Sequence, residues 1–315
     1  MFFDLIISSL HKCRPKLLLL IAALPTFIFF SSGRVIAQEL TIYTFPSPKG
    51  INWESPRKLV FSYIANTLAR SRYGKEKHPI GHMLVELRDS TRYALVGTTA
   101  VPHSGMTKKV IRKGYGLGIL FETISGKLDE KEANLPQIDL RCETGDLAFI
   151  RYRISSSVFN RLWQYLEEYK QKGYGKLYNG DNKPREGHGA GCSAFAHSFL
   201  EVGGLENILP SAEWAVNVLV PEKLIGRLQL KPKWVQLFKL FFVRRWANSE
   251  KQPHRLLSLY DPSLMYNWII KKYNSLTTTD TIQKMMLGKA RGLRINCTER
   301  MPPKEPIWIT AAAGQ

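Results

Sequence analysis

Two long stretches repeat apolar residues at helical spacing. Ser55 is a suitable cap, Pro56 fits a first helical position, and Leu59, Tyr63, Ile64 and Leu68 recur near one face before Gly74 ends the segment. The stretch SSSVFNRLWQYLEEYKQKGYG predicts a second helix: Ser157 caps it, Val158, Phe159, Leu162, Leu166 and Tyr169 line one face, and Gly173 stops it. A third helix opens at Cys192, sets Phe195, Phe199 and Leu200 on one side, and ends at Gly203-Gly204. Strand patterns appear in HPIGHMLVELRDS and in its β-branched, aromatic partner TRYALVGTTAV. GYGLGILFETI and GDLAFIRYRI read as two further strands. The glycines of GYGLGI lack both the dinucleotide spacing and the lysine-serine ending of a phosphate loop, so a bulged or tightly packed strand explains them better. Neither an internal repeat nor a low-complexity segment is visible.

Beyond about residue 215 the texture changes. Trp234, Phe238, Phe241, Phe242 and Trp246 interleave with Lys231, Lys233, Lys239, Arg244 and Arg245. This pattern fits a basic amphipathic helix on an anionic membrane, or a core helix with a solvated basic edge. The tail MPPKEPIWIT reads as an extended edge segment. At the other end, Lys12, Arg14 and Lys16 precede the apolar run 17–30, and Val35 and Ala37 suit a signal-peptidase cut. The run is short for a membrane span, so a cleaved secretory signal is favoured over an uncleaved anchor. The organisation expected is a signal peptide at 1–37, a catalytic domain at 38–215 and a basic, aromatic-rich extension at 216–315. The expected location is the periplasm or the cell exterior, with membrane association as a further option.

Charge and cysteine content narrow the partners. The chain carries 45 Lys and Arg against 26 Asp and Glu, a net charge of +19. Loss of the signal removes Lys12, Arg14, Lys16, Arg34 and Asp4 and leaves +16 on 278 residues. That charge favours wall polymers or anionic lipid head groups, and export argues against nucleic acid. Three cysteines remain: Cys142, Cys192 and Cys297. Either Cys142 and Cys297 pair and leave Cys192 free, or all three are reduced thiols. No metal-ligand spacing and no cofactor motif is evident.

The chemistry centres on GHGAGCSAF, residues 187–195. A cysteine at a helix N-terminus gains thiolate character from the free N–H groups, and the same groups can hold an oxyanion. Gly189, Ala190 and Gly191 leave the approach to the sulfur open. A nucleophilic cysteine needs a base. His197 points away along the helix, His188 lies in a loop, and His78, His103 and His254 sit in turns or linkers. His82 opens a strand directly after Gly81 and shares a face with Leu84 and Glu86, which makes it the candidate base. A buried, inert Cys192 and a strand-edge histidine without a role remain the alternative.

GHMLVEL followed about a hundred residues later by GCSAFAHSFLEVGG resembles the circularly permuted NlpC/P60 group of papain-like cysteine enzymes. LYNG at 177–180, CSAF at 192–195 and EVGG at 201–204 are similar to that group's cysteine signature. The resemblance covers roughly 75–205. It implies a papain-like α+β fold with Cys192 as nucleophile and His82 as base. Two departures stand out: GHGAG directly precedes the cysteine, and the residue that orients the histidine is not evident. Glu86 is the first candidate, Glu122 and Asp89 the others. The expectation is an exported cysteine hydrolase that cleaves an amide in the cell envelope, most simply a wall peptide. A lipid acyltransferase or hydrolase on the same scaffold, or a non-catalytic envelope-binding module, is the alternative.

Overall fold

The structure is a computed structural model that describes residues 38–309 apart from 70–77, 102–104, 181–182, 230–232, 249–251 and 278–280. The segment expected to be a signal, 1–37, and His103 lie outside the described residues. At the centre of an eight-stranded sheet lies β1 (Glu39–Phe45), antiparallel to β2 (His82–Arg88) on one side and to β5 (Ala148–Ile154) on the other. Beyond β2 follow β3 (Tyr93–Ala100), β4 (Ile124–Asp129) and the two-residue β6 (Leu177–Tyr178). Beyond β5 come β10 (Ala290–Cys297), the one parallel neighbour in the sheet, and β9 (Ile282–Leu287). The fold is α+β.

Alternation along the strands sorts side chains onto two faces. Leu40, Ile42, Met83, Val85, Val96, Ile150, Tyr152 and Leu293 share one core with α4 (Ser156–Gln171), α5 (Cys192–Gly203) and α7 (Pro262–Ser275). Tyr43, Phe45, Leu84, Leu95 and Phe149 point the other way, onto α3 (Lys131–Thr144) through Ile138. A further core joins α1 (Pro56–Leu68) to the hairpin of β7 (Ala215–Pro221) and β8 (His254–Tyr260).

Local signals account for several boundaries. Ser55 caps α1, its Oγ accepting the Lys58 N–H at 3.2 Å. The cap of α4 is Ser155 rather than Ser157, with the Val158 N–H donating to the Ser155 hydroxyl at 3.4 Å. Its apolar face is buried as expected, with Tyr165 added to it. After the short helix α2 (Met106–Arg112), the segment expected as a strand at 114–124 is a 3-10 helix over Gly116–Phe121, and the strand starts later, at Ile124. The glycines there are required by contact: a Cβ on Gly118 would stand 1.9 Å from the Ile225 carbonyl oxygen.

Three further expectations are corrected, and the open choice for the cysteines is resolved. Residues 216–315 are not a separate extension: β9, β10 and α7 complete the sheet and its main core, and the described residues belong to one compact unit. The aromatic-basic stretch is not a long amphipathic helix, since it holds only the single turn α6 (Leu237–Leu240) between irregular segments. Cys142, Cys192 and Cys297 are all free, Cys142 packing on the α3 side of the sheet and Cys297 on the other. Residues 301–309 run without joining a sheet edge. Arg185 anchors them instead, its Nε donating to the Ile307 carbonyl at 2.9 Å. No helix among the described residues is long and apolar enough to cross a membrane.

Candidate functional site around Cys192

The loop before α5 is shaped by close packing against β6. A Cβ on Gly189, which has φ +77°, would stand 2.4 Å from the Leu177 Cβ, and one on Gly191 would stand 3.0 Å from the Asn179 carbonyl oxygen. Asn179 is buried and donates from Nδ2 to the His188 carbonyl at 2.7 Å. The glycines of GHGAG therefore let this loop lie flat on 177–179 and deliver Cys192 to the first position of α5. Thr123, Leu177, Asn179, Lys183, His188 and Gly189 line an adjacent cavity of about 180 Å³.

Cys192 is 5% exposed. The N–H groups of Met83, Ser193 and Cys192 itself face its sulfur, and so does the Tyr178 hydroxyl. Four donors would hold a thiolate once formed. Burial opposes them and wins, pushing the Cys192 thiol up to about 11. The expected lowering by the helix N-terminus is thus overturned, because the group is sealed from water. At neutral pH Cys192 is a thiol.

Met83 is the residue bonded to His82, so the sulfur touches β2 one residue from the candidate base. The side chains diverge from there. Met83 faces the core under α5. His82 turns to the α3 face, where it lies 6.0 Å from the Phe45 ring and stacks on His78 at 4.0 Å and 6°. Its Nε2 is buried without a hydrogen-bond partner, and no hydrogen bond among the described residues joins Cys192 to His82. Burial first, then His78 and Arg141, hold the His82 imidazole well below its ordinary range, and the ring is neutral. A Cβ on Gly97 of β3 would stand 3.2 Å from that Nε2. The ring thus packs closely on Gly97 in the seam where β3 departs from β2, and Leu84, whose Cδ2 would stand 2.4 Å from the same Cβ, crowds that position more.

None of the three carboxylates considered for orienting His82 does so. Glu86 lies four strand positions on, roughly 13 Å along β2, and its Oε2 accepts the Tyr43 hydroxyl at 2.9 Å. Glu122 pairs with Lys109. Asp89 closes the β2–β3 turn, where N–H groups of Thr91 and Arg92 and the Arg92 guanidinium overcome its burial and hold its carboxyl down at about 2. The ring next to His82 is His78, whose Nε2 lies 3.0 Å from Gln137 Oε1. His197 stacks on Tyr260 at 3.8 Å and bonds Glu201, one turn along its own helix.

Tyr178 is the residue that sequence reasoning left without a role. Its aromatic position in LYNG was the available signal, but the contact to the sulfur arises only when β6 pairs with β4, Ile124 opposite Tyr178. No protein-family model, no curated protein and no solved structure matches this chain.

Proposed function

We propose that the chain is a cysteine hydrolase of the cell envelope, built as a circularly permuted papain-like domain of the NlpC/P60 type and acting on an amide bond, a wall peptide in the simplest case. The observation that carries this reading is the position of the Cys192 sulfur. It sits at the start of α5 among the N–H groups of Met83 and Ser193 and the Tyr178 hydroxyl, one residue from His82. The resting pair is a neutral thiol and a neutral imidazole. Catalysis then requires the His82 ring to leave its place beside Gly97 and turn toward the sulfur, where Nε2 takes the thiol proton as sulfur bonds to the substrate carbonyl carbon. The amine leaves with that proton, and water cleaves the thioester. The strongly basic chain suits an anionic envelope.

A second reading, a non-catalytic envelope-binding module, is favoured by the raised Cys192 pKa and by the unpartnered His82 Nε2. Iodoacetamide labelling across pH, with sites mapped by mass spectrometry, separates the two. As a hydrolase, the protein labels at Cys192 ahead of Cys142 and Cys297, and both His82→Ala and the better-fitting His82→Gln slow that reaction. Equal, slow labelling of all three thiols, indifferent to either substitution, would assign the binding module instead.

A further inference from the structure

One face of the molecule, remote from Cys192 in the sequence, exposes aromatic rings that the core does not need. Val235 and Leu240 are buried in the core beneath α1, but Phe238 and Phe242 turn outward, 66% and 65% exposed. They pack on each other at 4.9 Å, and Phe241 links Phe238 to Phe61 of α1, with ring centroids 6.4 Å and 5.0 Å apart. Phe61 is itself 47% exposed, and Leu68, two helical turns on, is exposed more fully still. Trp234 adds an exposed indole from the same chain segment. Phe61, Phe241, Phe238 and Phe242 form a contiguous apolar surface, and such a surface on a folded domain marks a contact site.

Charge says what that contact is. From Gly226 to Trp246 the sequence has no Asp or Glu, while Lys233, Lys239, Arg244 and Arg245 are all exposed. A groove of about 720 Å³ beside the rings is lined by Arg57, Lys58, Phe61, Ser62 and Arg244 among others; Arg57 lies over the Phe61 ring at 5.5 Å, and Lys58 pairs with the exposed Glu54 one turn earlier. Rings that can enter an acyl boundary, ringed by cations at head-group level, match an anionic bilayer in both layers.

We propose that this composite face, built from α1 and the 233–246 segment, docks the protein on an anionic phospholipid membrane, with the groove of Arg57 and Arg244 receiving lipid phosphate. The segment acts as an irregular aromatic loop braced by α1, not as an amphipathic helix. The inference does not depend on the hydrolase reading, because none of its residues touches Cys192.

The test is co-sedimentation of the full protein with phosphatidylcholine vesicles, with and without phosphatidylglycerol. Binding is expected only with the anionic lipid. It should weaken by about fivefold for each cation removed in Arg244→Ser and Arg245→Ser and fall sharply in Phe238→Ser with Phe242→Ser. Those four side chains are exposed, so folding is unaffected. Cys192→Ala should bind as the wild type does. Equal binding to neutral vesicles, no binding at all, or indifference to the ring substitutions would overturn the proposal. A dimer in light scattering that the ring substitutions dissolve would assign the face to a second copy of the chain and overturn it as well.

Discussion

The sheet presents two unlike faces, and the candidate site lies where they meet. Under α4, α5 and α7, β1, β2, β3, β5 and β10 each contribute buried apolar residues, and Tyr165, Tyr169, Phe195 and Phe199 fill the space with rings 4.9 to 6.0 Å apart. On the opposite face, α3 covers one end. The other end carries rows of polar residues: Arg294, Arg151, Thr41 and Glu86 lie side by side, and in the next row Asn296, Arg153, Glu39 and Arg88. Glu39 accepts from Arg88 at 2.6 Å and lies 3.7 Å from Arg151, whose Nε donates to Thr41 at 3.2 Å. One face is held by packing, the other by matched charge. A buried charge network of this kind contributes little net stability but is costly to break. His82 belongs to the second face and Cys192 to the first. Proton transfer between them therefore needs a movement across the seam that neither face makes alone.

Substitutions graded by face should separate these two kinds of support. The largest effect is expected on the packed face: Phe195→Ala leaves a cavity beside Tyr169 and Phe199 and should cost about 3–5 kcal/mol in chemical denaturation. On the polar face, Tyr43→Phe removes the donor to the Glu86 carboxylate and should cost about 1–3 kcal/mol. Were Tyr43→Phe to cost as much as Phe195→Ala, the contrast between the faces would fail. Gly97→Ala probes the seam itself. Its new Cβ would stand 2.4 Å from Leu84 Cδ2 and 3.2 Å from His82 Nε2, a crowding of about 1–3 kcal/mol that also displaces the imidazole. A neutral outcome there would mean that the His82 ring is not confined.

The packed face was largely legible. Helical spacing located α4 and α5, and alternation separated Met83 and Val85 from His82 and Leu84, because period and burial agree wherever one side of an element is dry. The polar face was not legible. β1, the central strand, was not foreseen: Leu40 and Ile42 alternate with Glu39 and Thr41, but Tyr43, Thr44 and Phe45 break the period within seven residues. Nor was α3 foreseen: Pro136 lies inside it, and only Asn134, Ile138 and Arg141 are buried. The same distinction limits the site. That Cys192 opens a helix follows from local spacing, whereas its contacts with Met83 and Tyr178 join residues far apart in sequence. The apparent break at 215 was a change of composition without a change of domain, because β10 returns to pair with β5 in mid-sheet.

The smallest effect is a pH dependence that places His82 on its face directly. In the folded chain the imidazole is held well below its ordinary range by burial, while in the unfolded chain it titrates near about 6.5. Above that pH both states are neutral and His82 makes no difference. As pH falls below it, the unfolded state takes up the proton that the folded state refuses, so stability declines by at most about 1.4 kcal/mol per pH unit until the folded pKa is reached. His82→Gln should therefore flatten the acid limb of the stability curve and leave the neutral plateau's shape alone. An unchanged acid limb would mean that the ring is protonated and solvated in the folded protein. The ring would then not be sealed beside Gly97 on the α3 face.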